Sequence, residues 1–139
     1  MNREGFRVVN RCGEGHQIVA DEPKELGGSG QGPNPIELFL ASLASCFAIT
    51  TRIFASKMGI EVGLIEVDAY AELDLRSMAI ESDVEPGLRS VILKARISSS
   101  AKCSDLDKLV EAVLRRWVVG ATVAKSGVLR VEVEKMCLE

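Results

Sequence analysis

The sequence predicts an α+β domain with the element order β-β-α-β-β-α-β. Three observations carry this prediction. A long apolar helix is framed by Asn34-Pro35 and Gly59, residues 65–73 alternate strictly and 91–97 mark a second strand, and an amphipathic helix follows them before a closing strand. The chain has 139 residues, 47% of them hydrophobic. That supports one domain over residues 1–139 with its own core, and no Pro-rich or Ser-rich linker divides it.

Residues 6–9 (FRVV) and 16–20 (HQIVA) are short β-prone pieces around CGEG, which reads as a hairpin turn. The glycine- and proline-dense loop DEPKELGGSGQGPNP follows. It is not a phosphate cradle. Pro33 stands where the third glycine of GxGxxG belongs, and the Lys-Ser/Thr of a P-loop is missing. The loop is expected to shape the entry to the helix.

Asn34 is expected as N-cap, Pro35 as the first helical residue and Gly59 as the left-handed stop. The helix between them has about 24 residues and is roughly 36 Å long. Leu38, Phe39, Leu40, Leu43, Phe47, Ile49, Ile53 and Phe54 cover most of its circumference. Such a helix needs burial on nearly every side, more than a chain of this size supplies. The sequence therefore points to a homodimer in which these helices pack together inside shared sheets.

Ile65, Val67, Ala69, Ala71 and Leu73 alternate with Glu66, Asp68, Tyr70 and Glu72, the pattern of a half-buried strand. SDVEPGLR is a turn, and Val91, Leu93, Ala95 and Ile97 mark a second long strand, expected to pair antiparallel with the first. Ser104 and Asp107 form an S-x-x-D start signal for the second helix. Its stripe is Leu106, Leu109, Val110, Val113, Leu114 and Trp117, with Arg115 and Arg116 suited to the negative pole of its dipole. The closing strand GVLRVEVEK turns Val131 and Val133 inward.

The net charge of −3 gives no electrostatic case for nucleic acid or an anionic membrane surface. The N-terminal MNREGFRVVN lacks the apolar core of a signal peptide. The most membrane-like run, residues 36–51, carries Glu37, Ser42, Ser45 and Thr50 and ends at Arg52. It is too short and polar for a span of about 20 residues, so a cytoplasmic location is expected. Cys12, Cys46, Cys103 and Cys137 show no CxxC or CxxH spacing, and His16 is the one histidine. No metal or other cofactor is expected, the four cysteines read as free thiols, and Cys12, Cys137 and His16 look incidental.

Cys46 lies at the middle of the long helix, away from the N-terminus that usually lowers a thiol pKa. Ser42 and Thr50, at i−4 and i+4, put hydroxyls on its face. Those hydroxyls can hydrogen-bond a thiolate or be absorbed by backbone carbonyls. On spacing alone Cys46 reads as a small buried core residue, since free cysteine is among the most buried types.

A glycine-rich lead into GPNPIELFLASLASCFAITTRI resembles the signature of the OsmC/Ohr superfamily, the osmotically inducible protein C and organic hydroperoxide resistance proteins. In that family a long central helix carries the reactive cysteine in a Leu-Ala-small-Cys setting, here Leu43-Ala44-Ser45-Cys46. The resemblance extends more weakly over the whole chain. It implies an intertwined homodimer with antiparallel sheets wrapped around the helices. It also implies thiol-dependent reduction of organic hydroperoxides through a sulfenic acid, a disulfide with a second cysteine, and release by a dithiol.

The chain departs from that pattern. Aligning RRWVVGATVAK with the family's second-cysteine segment puts Trp117 where that cysteine belongs. Cys103 precedes that position by about 14 residues, roughly 21 Å of helical rise, too far for a disulfide to the reactive position. The family glutamate ten positions before the cysteine is replaced by Ile36; Glu37 is one residue late, about 100° around the helix. Arg7 or Arg11 would supply the family's arginine, and both also read as exposed strand-face cations.

Two functions follow. One is a one-cysteine thiol peroxidase of the oxidative stress response, with Cys46 as nucleophile and an external thiol or dithiol as resolving partner. Ser42 and Thr50 would support the thiolate, Arg7 or Arg11 would be the counter-charge, and Glu37 and Trp117 would help form the substrate site. The alternative is a non-catalytic protein of the same fold that binds a small apolar ligand at the dimer interface beside Cys46 and Trp117.

Overall fold

The computed structural model describes residues 5–139. The first four residues of the N-terminal MNREGFRVVN segment lie outside the described residues. Two compact units are present, one reaching to Ala41 and the other Ser42–Glu139, with the boundary inside the long helix.

The first unit begins with a hairpin of β1, Val8–Cys12, and β2, His16–Ala20, paired antiparallel from Val8↔Ala20 to Cys12↔His16. The expected first strand at residues 6–9 thus begins later and continues through Cys12. β1 is exposed along its length, so burial does not mark its ends in the sequence. After β2 the chain folds around Asp21, which is 2% exposed. The Asp21 N–H donates to the Pro33 carbonyl at 3.1 Å. Its carboxylate accepts from the N–H groups of Glu22 at 2.8 Å, Ser29 at 3.3 Å and Gln31 at 3.1 Å. The glycine-rich loop is therefore closed on an internal carboxylate, as suits a shaped lead-in.

Helix α1 is Pro35–Met58, the extent the sequence predicts. The Asn34 side-chain oxygen accepts from the Glu37 N–H at 2.8 Å, and the Asn34 N–H donates to the Glu37 carboxylate at 3.2 Å. This reciprocal cap satisfies two otherwise orphaned groups. Gly59, at φ 66°, ends the helix as expected.

In the second unit α1 buries Leu43, Phe47, Thr51 and Ala55, spaced by four so that they form one strip. The Thr51 hydroxyl donates to the Phe47 carbonyl at 2.7 Å, so a buried polar group is satisfied inside the helix. By length and composition α1 is apolar enough to cross a membrane. The sequence reading of a run too short and polar stopped at Arg52. The helix instead carries on past it, and the Arg52 guanidinium donates to the carbonyls of Val62 at 2.7 Å and Gly63 at 2.5 Å.

Strands β3, Ile65–Glu72, β4, Ser90–Lys102, and β5, Leu129–Leu138, form a sheet in the order β3-β4-β5. The β3–β4 pair is antiparallel, as predicted, from Ile65↔Ile97 to Glu72↔Ser90. The β4–β5 pair is parallel and needs a crossover. Helix α2, Cys103–Arg116, and helix α3, Val118–Ala124, supply it. Val91, Leu93, Ala95 and Ile97 of β4 and Leu106, Leu109, Val110 and Val113 of α2 are buried and form the core. On the sheet's other face Arg96 lies 3.1 Å from Glu66 and 3.2 Å from Glu134, so charges neutralise each other across three strands.

Three expectations are corrected here. Ser104 is not the cap of α2: the strand runs directly into the helix at Lys102, without a side-chain cap bond, and Asp107 pairs with Lys135. The crossover is not one helix, because the backbone turns extended at Trp117 (ψ 115°) before α3 begins. Cys103 and Cys137 are not free thiols; they form a disulfide with Cα atoms 5.1 Å apart. The parallel register sets Leu138 opposite Lys102, and that long-range pairing, invisible in linear spacing, brings the two sulfurs together. Cys12 and Cys46 are free.

Candidate functional site

Cys46 is half-buried, one residue before the fully buried Phe47 and three residues after Leu43 on the inward strip. Successive helical residues are about 100° apart, so this step turns the thiol away from the centre of that strip. The Cys46 sulfur lies 3.9 Å from the Thr50 hydroxyl, one turn on. Ser42, one turn before, is exposed. Ile49 and Ile53, at i+3 and i+7 from Cys46, are 59% and 47% exposed. The thiol therefore sits on a face with the Thr50 hydroxyl close by and uncovered aliphatic side chains one and two turns on.

Trp117 is 2% exposed and takes its place in the core, as its helical stripe predicts. Its ring meets Phe47 edge-on, with centroids 5.4 Å apart and an interplanar angle of 85°. The indole thus supports the wall on which Cys46 is mounted, through the adjacent residue. Gly120 makes room for it, because a Cβ there would fall inside the Trp117 ring.

The remaining expected residues belong to the first unit. Arg7 precedes β1 and Arg11 lies on it, both exposed. Arg11 lines a hollow of about 340 Å³ at the hairpin tip with Gly13, Gly15, His16 and Gln17. Glu37 is committed to the cap of α1. The structure thus brings Cys46 and Thr50 together, with Ser42 and Trp117 in the same unit.

Asp21, unremarked in the sequence, proves to be an organising residue. Burial opposes its ionisation, but the N–H groups of Gln31, Glu22 and Ser29, with the Arg7 charge, outweigh this and hold the carboxyl below its ordinary value of 3.8. Its one advance signal is its position, at the end of a β-prone run and the start of a glycine-rich loop. A larger cleft of about 660 Å³ is lined by Glu61, Val62, Gly63 and residues 98–100 and includes none of the expected site residues. Among the described residues no group of three or more His, Cys, Asp or Glu side chains is placed to hold a metal ion.

Comparison with known proteins places these features in context. The family described as OsmC-like protein matches residues 28–132. An uncharacterized protein of Haloferax volcanii is 31% identical over 75 residues, 53% of this chain and 52% of that protein, so the match spans about half of that relative's length. Among solved structures, an OsmC-like protein from Mycoplasma pneumoniae superposes with a TM-score of 0.74 at 18% identity, covering 100% of both chains. An organic hydroperoxide resistance protein from Legionella pneumophila gives 0.58 at 18% identity, covering 94% of this chain and 96% of its own. A further organic hydroperoxide resistance protein, from Elizabethkingia anophelis, gives 0.59 at 21% identity over 98% and 99%. At these identities the likeness is one of fold.

Proposed function

The chain belongs to the OsmC-like protein family, and from that premise we propose that it is a cytoplasmic, homodimeric stress-response protein that reduces organic hydroperoxides through Cys46. The observation carrying this reading is the half-exposed Cys46 sulfur, 3.9 Å from the Thr50 hydroxyl, at the family's reactive-cysteine position.

In the proposed reaction the Cys46 thiolate attacks the distal oxygen of the peroxide. The O–O bond breaks, the alkoxide leaves with a proton as alcohol, and Cys46 becomes a sulfenic acid. An external thiol then displaces water to give a mixed disulfide, and a second thiol releases Cys46. The Thr50 hydroxyl supports the thiolate, and Arg7 or Arg11 offsets its charge. Resolution is assigned to an external thiol because Trp117 stands where the family's second cysteine belongs, and the Cys103–Cys137 disulfide supports that reading. The exposed Ile49 and Ile53 beside the thiol support a second copy of the chain as the cover of this face.

A second reading has a specific observation behind it. Cys103 is committed to Cys137, and the bulky Trp117 is built into the core against Phe47, the neighbour of Cys46. That suits a non-catalytic protein holding a small apolar ligand beside Cys46.

Sulfenic acid trapping separates the two. Brief exposure to cumene hydroperoxide with a dimedone-type reagent is expected to label Cys46 rapidly, with labelling lost in Cys46→Ser. Labelling no faster than at Cys12 would remove the peroxidase reading. Consumption of peroxide in the presence of a dithiol then measures turnover.

A further inference from the structure

We propose that Cys103 and Cys137 form a reversible thiol–disulfide centre, separate from Cys46, that latches the end of β5 to the start of α2. Both residues are half-exposed, so a small dithiol reaches the bond in the folded protein. Cys103 is the first residue of a 14-residue helix whose cap has no side-chain hydrogen bond. The free N–H groups and the positive pole of the helix favour negative charge on its sulfur. The two sulfurs are therefore unequal: Cys103 is the better leaving sulfur and Cys137 the one attacked.

The exchange balances as follows. A thiolate of an external dithiol attacks the Cys137 sulfur, the S–S bond breaks, and its electron pair leaves on Cys103. The second thiol of the reagent then attacks its own sulfur in the mixed disulfide, closing to a cyclic disulfide and releasing Cys137. Two electrons pass to the protein, and the two protons lost by the dithiol end on Cys103 and Cys137. A small-molecule disulfide reverses the reaction.

The consequence lies in the strand register. Pairing of β4 with β5 is continuous from Val91↔Leu129 to Ser98↔Met136, then shifts and resumes at Lys102↔Leu138. Beyond Met136 the β4–β5 ladder is thus reduced to one strand pair, beside the disulfide. Reduction removes the covalent hold and lets Cys137 and Leu138 leave β4, while the part of β5 up to Met136 keeps its register.

The test uses the full chain with Cys12→Ser and Cys46→Ser, treated with dithiothreitol in native buffer, alkylated and mapped by mass. Paired labelling of Cys103 and Cys137 within minutes is expected, without loss of circular dichroism, and oxidised glutathione should restore the disulfide. In the reduced protein iodoacetamide should modify Cys103 about tenfold faster than Cys137. The amides of Cys137 and Leu138 should exchange about tenfold faster than in the oxidised form, with those of Leu93 and Ala95 unchanged. Labelling that appears only on unfolding would make the bond a static staple and overturn the proposal. Equal alkylation rates would overturn the role of Cys103, and unchanged exchange would overturn the latch. Should the double variant misfold, the wild-type chain read peptide by peptide decides the same points.

Discussion

At Cys46 the governing fact is distance from a helix end. A thiol in mid-helix lacks the macrodipole and free N–H groups that activate cysteines at N-termini, so its support must come from side chains. Thr50 is the one in contact, at 3.9 Å. Thr50→Val is therefore expected to slow sulfenic acid formation about fivefold, a loss of roughly 1 kcal/mol, measured by stopped-flow with cumene hydroperoxide. Asp21 yields a prediction of a different kind. Its folded-state pKa is lowered, so its contribution to loop stability is present above the unfolded value and lost as pH falls through the folded one. Hydrogen exchange at Ser29 and Gln31 should accelerate below about pH 4. Asp21→Asn should show the faster exchange at neutral pH too, and a wild-type loop indifferent to acid would contradict the assignment.

Among the elements, α1 depends on its two ends and one strip. The Asn34–Glu37 cap holds the start, and Glu37→Ala is expected to cost about 0.5–1 kcal/mol in urea unfolding, with little effect on peroxide consumption. A large loss of peroxide consumption at unchanged stability would instead give Glu37 a role with substrate. The α2–α3 break depends on Trp117 having Gly120 beneath it. Gly120→Ala should destabilise by about 1–3 kcal/mol and change the Trp117 fluorescence, the single indole reporter in the chain. If fluorescence and stability are both unchanged, the close packing of the indole is wrong. That effect should reach Cys46 only through Phe47, as a change in peroxide reactivity smaller than the change in stability.

For the whole molecule the deciding quantity is the apolar surface of α1 left uncovered. Ile49 and Ile53 remain 59% and 47% exposed on a helix whose opposite strip is fully packed. The proposed homodimer predicts twice the chain mass in sedimentation equilibrium, and Ile49→Glu with Ile53→Glu should shift it to monomer. A wild-type monomer would remove the two-chain site. Helix α1 and the β3–β4 pair were legible in the sequence because their signals are local: Asn34, Pro35 and Gly59 bound one, and period-two alternation marks the other. The OsmC-like family too was legible, from the setting of Cys46. The break at Trp117 was not, since a continuing apolar stripe hides a change in backbone direction. Nor was the Cys103–Cys137 bond, because it follows from the parallel register of strands separated by a crossover. Sequence alone determined the bounds of α1, the alternation of β3 and β4, and the family setting in which Cys46 stands. Tertiary structure decided which distant side chains meet, since contacts across the chain depend on strand order and register, which no local pattern encodes.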